Sequence, residues 1–102
     1  MKAIINGRIY NTETADLVCE ISHGWKSNFD WHETGLYRTP KGAFFLAGQG
    51  GPRSMWAKHD GNCSSSGKGL QVITAQEARS FMEKAGCDED TYEEFGLPLV
   101  EG

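Results

Sequence analysis

Cysteine, proline and long apolar runs are all scarce in this sequence, and each shortage removes a class of protein. The three cysteines, Cys19, Cys63 and Cys87, are odd in number and widely spaced. A disulfide-stapled scaffold carries an even and conserved-looking set, so this spacing predicts unpaired thiols in a reducing cytoplasm. No stretch approaches the roughly 20 apolar residues of a membrane span. Met1-Lys2-Ala3-Ile4-Ile5 runs at once into Asn6-Gly7, where a signal peptide would continue into its apolar core. The chain is therefore expected to be neither exported nor inserted. A zinc site needs about four ligands. Around the pair His59 and Cys63 only the scattered His23, His32, Cys19 and Cys87 remain, so no metal and no cofactor are expected.

What is present suits one folded domain over residues 1–102. An apolar share of 38% with eleven aromatics can build a core, whereas disordered chains are poor in aromatics and carry more net charge per residue. The net charge of −4 is divided unevenly. Residues 1–73 hold eight Lys/Arg against six Asp/Glu, and residues 74–102 hold two against eight. Such asymmetry bears on partners and solubility and not on fold.

The turn residues place the strands. Asn6-Gly7 between Ile4-Ile5 and Ile9-Tyr10 predicts a two-residue hairpin, because a type I′ turn needs positive φ at both central positions. Strands are expected at 2–5 and 8–10. After one turn at Asn11-Thr12-Glu13-Thr14, a strand from Leu17 to Ser22 would put Leu17, Cys19 and Ile21 on one face; a helix over 14–21 competes with it. Residues 23–31 read as a long loop whose rings pack back on the sheet. Pro40-Lys41-Gly42 joins strands at 34–39 and 43–47, the proline presetting φ and the glycine accepting positive φ. Gly48 to Gly69, rich in Gly and Ser, reads as exposed irregular backbone, followed by a last strand at 70–73. Thr74-Ala75-Gln76-Glu77 is a capping box. It opens a helix whose apolar stripe is Ala75, Ala78, Phe81, Met82 and Ala85, stopped by Gly86. Asp88 then caps a short helix from 89 to 95, ended by Gly96 with Pro98 beyond. The fold class that follows is α+β: an antiparallel sheet of four to five strands built from hairpins, packed against a C-terminal amphipathic helix with a short terminal helix.

Two glycine-rich stretches imitate nucleotide-binding loops and fail on spacing. In Gly61-Asn-Cys-Ser-Ser-Ser-Gly67-Lys68-Gly69, five residues separate the glycines where a P-loop needs four, and Gly69 stands where the magnesium-binding hydroxyl belongs. In Gly48-Gln-Gly50-Gly51-Pro-Arg53, Arg53 holds the position of the third glycine of a dinucleotide fingerprint. Nucleophilic catalysis by Cys63 with His59 would need a third group to orient the base and a walled pocket. No enzyme is expected.

Two clusters invite partners. From Trp25 to Lys68 the chain interleaves Trp25, Trp31, Tyr37 and Trp56 with Lys26, Arg38, Lys41, Arg53, Lys58 and Lys68, a mix that stacks bases and neutralises phosphates. The plain alternative is that the rings are core and the cations a solvated face. Asp88, Glu89, Asp90, Glu93 and Glu94 crowd five acids around Tyr92 and Phe95. Helix capping and the helix dipole account for part of that cluster. An acidic helix studded with aromatics also suits a basic groove made for nucleic acid.

Three stretches, AIINGRIYNTETA (3–15), LYRTPKGAFFLAG (36–48) and GGPRSMW (50–56), together resemble a family of small proteins of phages and mobile elements. These motifs are turns and strand residues and carry no active site across. What the resemblance implies is context: such proteins are often anti-defence factors, anti-CRISPR proteins among them, which bind a host effector and block it. The expectation is a non-enzymatic inhibitor of bacterial defence in the host cytoplasm. It would bind an effector such as a CRISPR-Cas complex through Asp88, Glu89, Asp90, Glu93, Glu94, Arg53, Trp56 and Lys58, with nucleic-acid mimicry as the mechanism. The rivals are a small nucleic-acid-binding accessory protein using the aromatic and basic loop, and an ordinary structural or regulatory subunit.

Overall fold

A computed structural model describes residues 1–25, 29–61 and 63–97. The strands are β1 (Lys2–Ile5), β2 (Arg8–Asn11), β3 (Asp16–His23), β4 (His32–Arg38), β5 (Phe44–Gly50), β6 (Lys58–Asp60), β7 (Cys63–Ser65) and β8 (Gly67–Ile73). Two helices follow, α1 (Ala75–Ala85) and α2 (Glu89–Glu94). The expected α+β class holds, with β3-β4-β5-β8 as a four-stranded antiparallel sheet and β1-β2 and β6-β7 as separate two-stranded hairpins. Asn6 at φ 52° and Gly7 at φ 74° make the first turn, and Gly42 at φ 91° makes the turn between β4 and β5. The helical alternative over 14–21 is not taken: the Asn11 side chain accepts from the Glu13 amide, closing a turn that feeds β3.

Side chains on the two faces of the sheet build two cores. Leu36, Phe44, Leu46 and Ile73 point to one side, where they meet Trp56, Ala78 and Met82 of α1, Tyr92 of α2, Phe95 and Leu97. On the other side Phe45 and Ala47 meet Tyr10 from the β1-β2 hairpin, with Ile5, Tyr37 and Leu70 around them. Tyr37 stacks on Phe45 at 5.3 Å and Tyr10 meets the same ring edge-on at 5.7 Å. Burying each such large side chain stabilises the fold by roughly 1.5–3 kcal/mol. The period-two alternation of β5, Phe44-Phe45-Leu46-Ala47, therefore feeds both cores at once.

The capping box forms as the sequence reads. Thr74 Oγ1 accepts from the Glu77 amide and Glu77 Oε1 accepts from the Thr74 amide, both at 3.1 Å. Gly86, at φ 75°, closes α1 in the left-handed conformation. Asp88 caps α2, which ends at Glu94 with Phe95 as its C-cap. Pro98 lies outside the described residues.

Four local expectations are corrected. Leu17 and Cys19 do not share a face, because the register slips between them: Leu17 pairs with Tyr37 and Cys19 with Leu36, on opposite sides of the sheet. Ala75 is exposed, so the stripe of α1 starts at Ala78. Trp25 and Phe29 are 81% and 65% exposed and do not pack back on the sheet. The stretch from Gly48 to Gly69 contains the end of β5, the hairpin β6-β7 and the start of β8, where irregular backbone was expected.

That last correction has a steric cause. Gly48 pairs with Gly69 and Gly50 with Gly67 across β5 and β8; the Trp56 indole lies over Gly48 and Gly69, its carbonyl lies against Gly67, and Gly50 faces Ser54. A Cβ on Gly48 would come within 2.7 Å of the Trp56 indole nitrogen and 2.2 Å of the Glu33 carbonyl oxygen. On Gly69 it would come within 3.2 Å of the indole ring. The glycines clear a bed for one tryptophan, a close backbone approach within paired strands.

Candidate functional site

The acidic cluster sits on a firmly seated base. Tyr92, Phe95 and Leu97 are buried in the helix-side core, and the outward residues Asp88, Glu89, Asp90, Glu93 and Glu94 are all exposed. Asp88 is spent on folding: its Oδ1 accepts from the Thr91 amide at 3.1 Å and the Thr91 hydroxyl at 2.9 Å. Those hydrogen bonds, the hydroxyl first, hold its carboxyl below the usual carboxylate range. Glu89, Asp90, Glu93 and Glu94 make no salt bridge among the described residues. They form a negative surface whose charges are not paired with cations among the described residues.

The three residues expected from the basic loop separate. Trp56 is only 8% exposed and its indole N–H donates to Thr34 Oγ1 at 2.8 Å, so it is a core residue and cannot reach a partner in the folded chain. Its burial follows from the glycine bed and a satisfied donor. Arg53 and Lys58, on either side of it, stay exposed. Arg53 lies with its guanidinium 5.8 Å from the centre of the Phe29 ring, and its amide donates to the Phe29 carbonyl at 2.7 Å. An exposed ring with a cation over it, Phe29 with Arg53, thus lies in the β3-β4 connection, where Trp25 is exposed as well. The interleaving of aromatic and basic residues pointed to this region; which ring faces outward depends on Gly48 and Gly69, far along the chain.

A polar chain runs inward from the same end. Asp30 Oδ2 lies 3.2 Å from His23 Nε2, and the His23 ring stacks on His32 at 5.8 Å. His32 Nδ1 is 3.0 Å from Thr34 Oγ1. Since Thr34 accepts from Trp56, its own proton is free to go to His32, which suits a neutral imidazole accepting at Nδ1. Burial lowers the His32 pKa, the neighbouring His23 lowers it further, and Asp30 works the other way. The Thr34 hydroxyl that meets His32 is thus engaged on both sides, by the imidazole and by the Trp56 indole. His59 meets the Ser64 hydroxyl at 3.0 Å across β6-β7, on exposed backbone.

No protein-family model, curated protein or solved structure matches the chain. Among the described residues no helix is long and apolar enough to cross a membrane, and no group of three or more His, Cys, Asp or Glu is placed to hold a metal ion.

Proposed function

We propose that the chain is a non-enzymatic binding protein that presents the acidic surface of α2 to a basic, nucleic-acid-handling partner and blocks it. The observation that carries this reading is the set of four exposed carboxylates, Glu89, Asp90, Glu93 and Glu94, anchored by buried Tyr92 and Phe95 and unpaired by cations among the described residues. Complementary charge gives such a surface speed and selectivity without chemistry. The resemblance to proteins of phages and mobile elements suggests the partner class, a cytoplasmic effector of bacterial defence such as a CRISPR-Cas complex. Capture on the immobilised chain from lysate of a host carrying such a system, with identification by mass spectrometry, tests this. We expect a defence effector that is released by competing duplex DNA and is not captured by the variant Glu93→Lys/Glu94→Lys. A captured protein indifferent to both would overturn the reading.

A second reading has its own support. Phe29 is exposed beside Arg53 and Trp25 is a further exposed ring just past β3; single-stranded bases stack on such rings, and a cation over one adds to it. A nucleic-acid-binding accessory protein would bind short single-stranded probes through this end and lose them on Trp25→Ala. With the overall charge at −4, we expect binding no tighter than the non-specific range of about 10⁻⁴ to 10⁻⁶ M at physiological salt.

A further inference from the structure

A cleft of about 520 Å³ opens between the β1-β2 turn and the β4-β5 turn, at the opposite end of β4 from Phe29 and Arg53. Small-molecule sites typically enclose roughly 300–1,000 Å³. Both walls are held in place. The Ala43 amide donates to Thr39 Oγ1 at 3.0 Å and the Gly42 amide to the Thr39 carbonyl at 2.9 Å, which fixes the turn that carries Lys41. Tyr10 meets Phe45 edge-on and ties the β1-β2 hairpin to β5. The lining joins an apolar surface, Ile9, Pro40 and Ala43, to two cations, Arg8 and Lys41, and includes no carboxylate. Neither cation is in a salt bridge among the described residues. Tyr10 lines the cleft as well. It is only 6% exposed, yet its hydroxyl makes no hydrogen bond among the described residues and is not sealed from solvent. A phenol buried to this degree usually has a partner, and the cleft gives one access to it.

From this arrangement we propose that the cleft binds a small phosphomonoester with a flat apolar body, of the size of a nucleoside monophosphate. At neutral pH a phosphomonoester carries a charge of about −1.5 to −2. Two unpaired cations match that charge, whereas a single carboxylate would leave one of them unanswered. Arg8 offers the phosphate oxygens a planar fork of donors and Lys41 a mobile point charge. The flat body lies on Ile9, Pro40 and Ala43, and the Tyr10 hydroxyl bonds a polar atom of the ligand. The site is independent of the acidic surface, since no residue of α2 lines it.

The test is calorimetric titration of the intact chain with adenosine monophosphate, adenosine and inorganic phosphate at physiological salt. We expect the nucleotide to bind at one site, about tenfold or more tighter than either fragment. Arg8→Gln and Lys41→Gln should each weaken it about tenfold, the loss of one charge-assisted contact. Lys84→Gln, an exposed change on α1 at the other face of the sheet, should leave it unaltered. Tyr10→Phe keeps the ring against Phe45, so the Tm should hold while affinity falls about threefold. Phosphate binding as tightly as the nucleotide would make the cleft a patch that takes any anion, and adenosine binding as tightly would leave the cations no part in it. Either result overturns the proposal, as does nucleotide binding unmoved by Arg8→Gln and Lys41→Gln, or none up to about 1 mM.

Discussion

Trp56 and Trp25 belong to one aromatic and basic stretch of the sequence, yet one lies in the core and the other in solvent. Trp56 rests on a bed of facing glycines, with its N–H bonded to Thr34. Trp25 is 81% exposed at the end of the sheet where β3 gives way to β4. The pair shows that ring content alone does not mark a binding surface. A ring whose donor is satisfied and whose neighbours make room for it belongs to folding. A ring left in water with a cation nearby, as Phe29 is with Arg53, is a candidate for contact.

The contrast can be broken by mutation. Trp56→Ala should cost the most, about 3–5 kcal/mol of stability in urea unfolding, because it empties the bed and strands the Thr34 contact. Gly48→Ala should cost about 1–3 kcal/mol or more, since the added Cβ meets the Glu33 backbone as well as the indole. Acidification should weaken the same end of the sheet. The His32 pKa is lower folded than unfolded, so the unfolded chain takes up the extra proton first. Stability should therefore fall as the pH drops through the ordinary histidine value of 6.5, until the lower folded-state value is passed. A pH series of urea midpoints should be flatter for His32→Gln. Trp25→Ala and Phe29→Ala should change stability least, within about 0.5 kcal/mol. A large loss in either would mean that these rings support the fold.

The reach of the sequence differs in the same two regions. Asn6-Gly7, Pro40-Lys41-Gly42 and the capping box at Thr74 are local signals, and each appears where it was read. The β3 bulge is not local, since it depends on Tyr37 and Leu36 across the strand pair. Gly48, Gly50, Gly67 and Gly69 look like turn residues in sequence, because glycine permits turns and close approach alike. Only their pairing across β5 and β8 distinguishes the two uses. Of the eight residues expected to meet a partner, Asp88, Glu89, Asp90, Glu93, Glu94, Arg53 and Lys58 are exposed, although the Asp88 carboxylate also caps α2. Trp56 is buried in the core. Its burial comes from a tertiary demand on a residue type that also suits binding.

The acidic surface is tested most directly by association kinetics. With the captured effector immobilised, k_on is measured for the parent chain and for Glu93→Lys/Glu94→Lys at low and at physiological salt, after checking that the two melt alike. Exposed charges of this kind contribute no more than about 1 kcal/mol to stability, so the fold should survive the reversal. We expect the parent to associate much faster at low salt, and the variant to be slow with a weakened dependence on salt. Equal rates for the two at low salt would contradict the proposed role of α2.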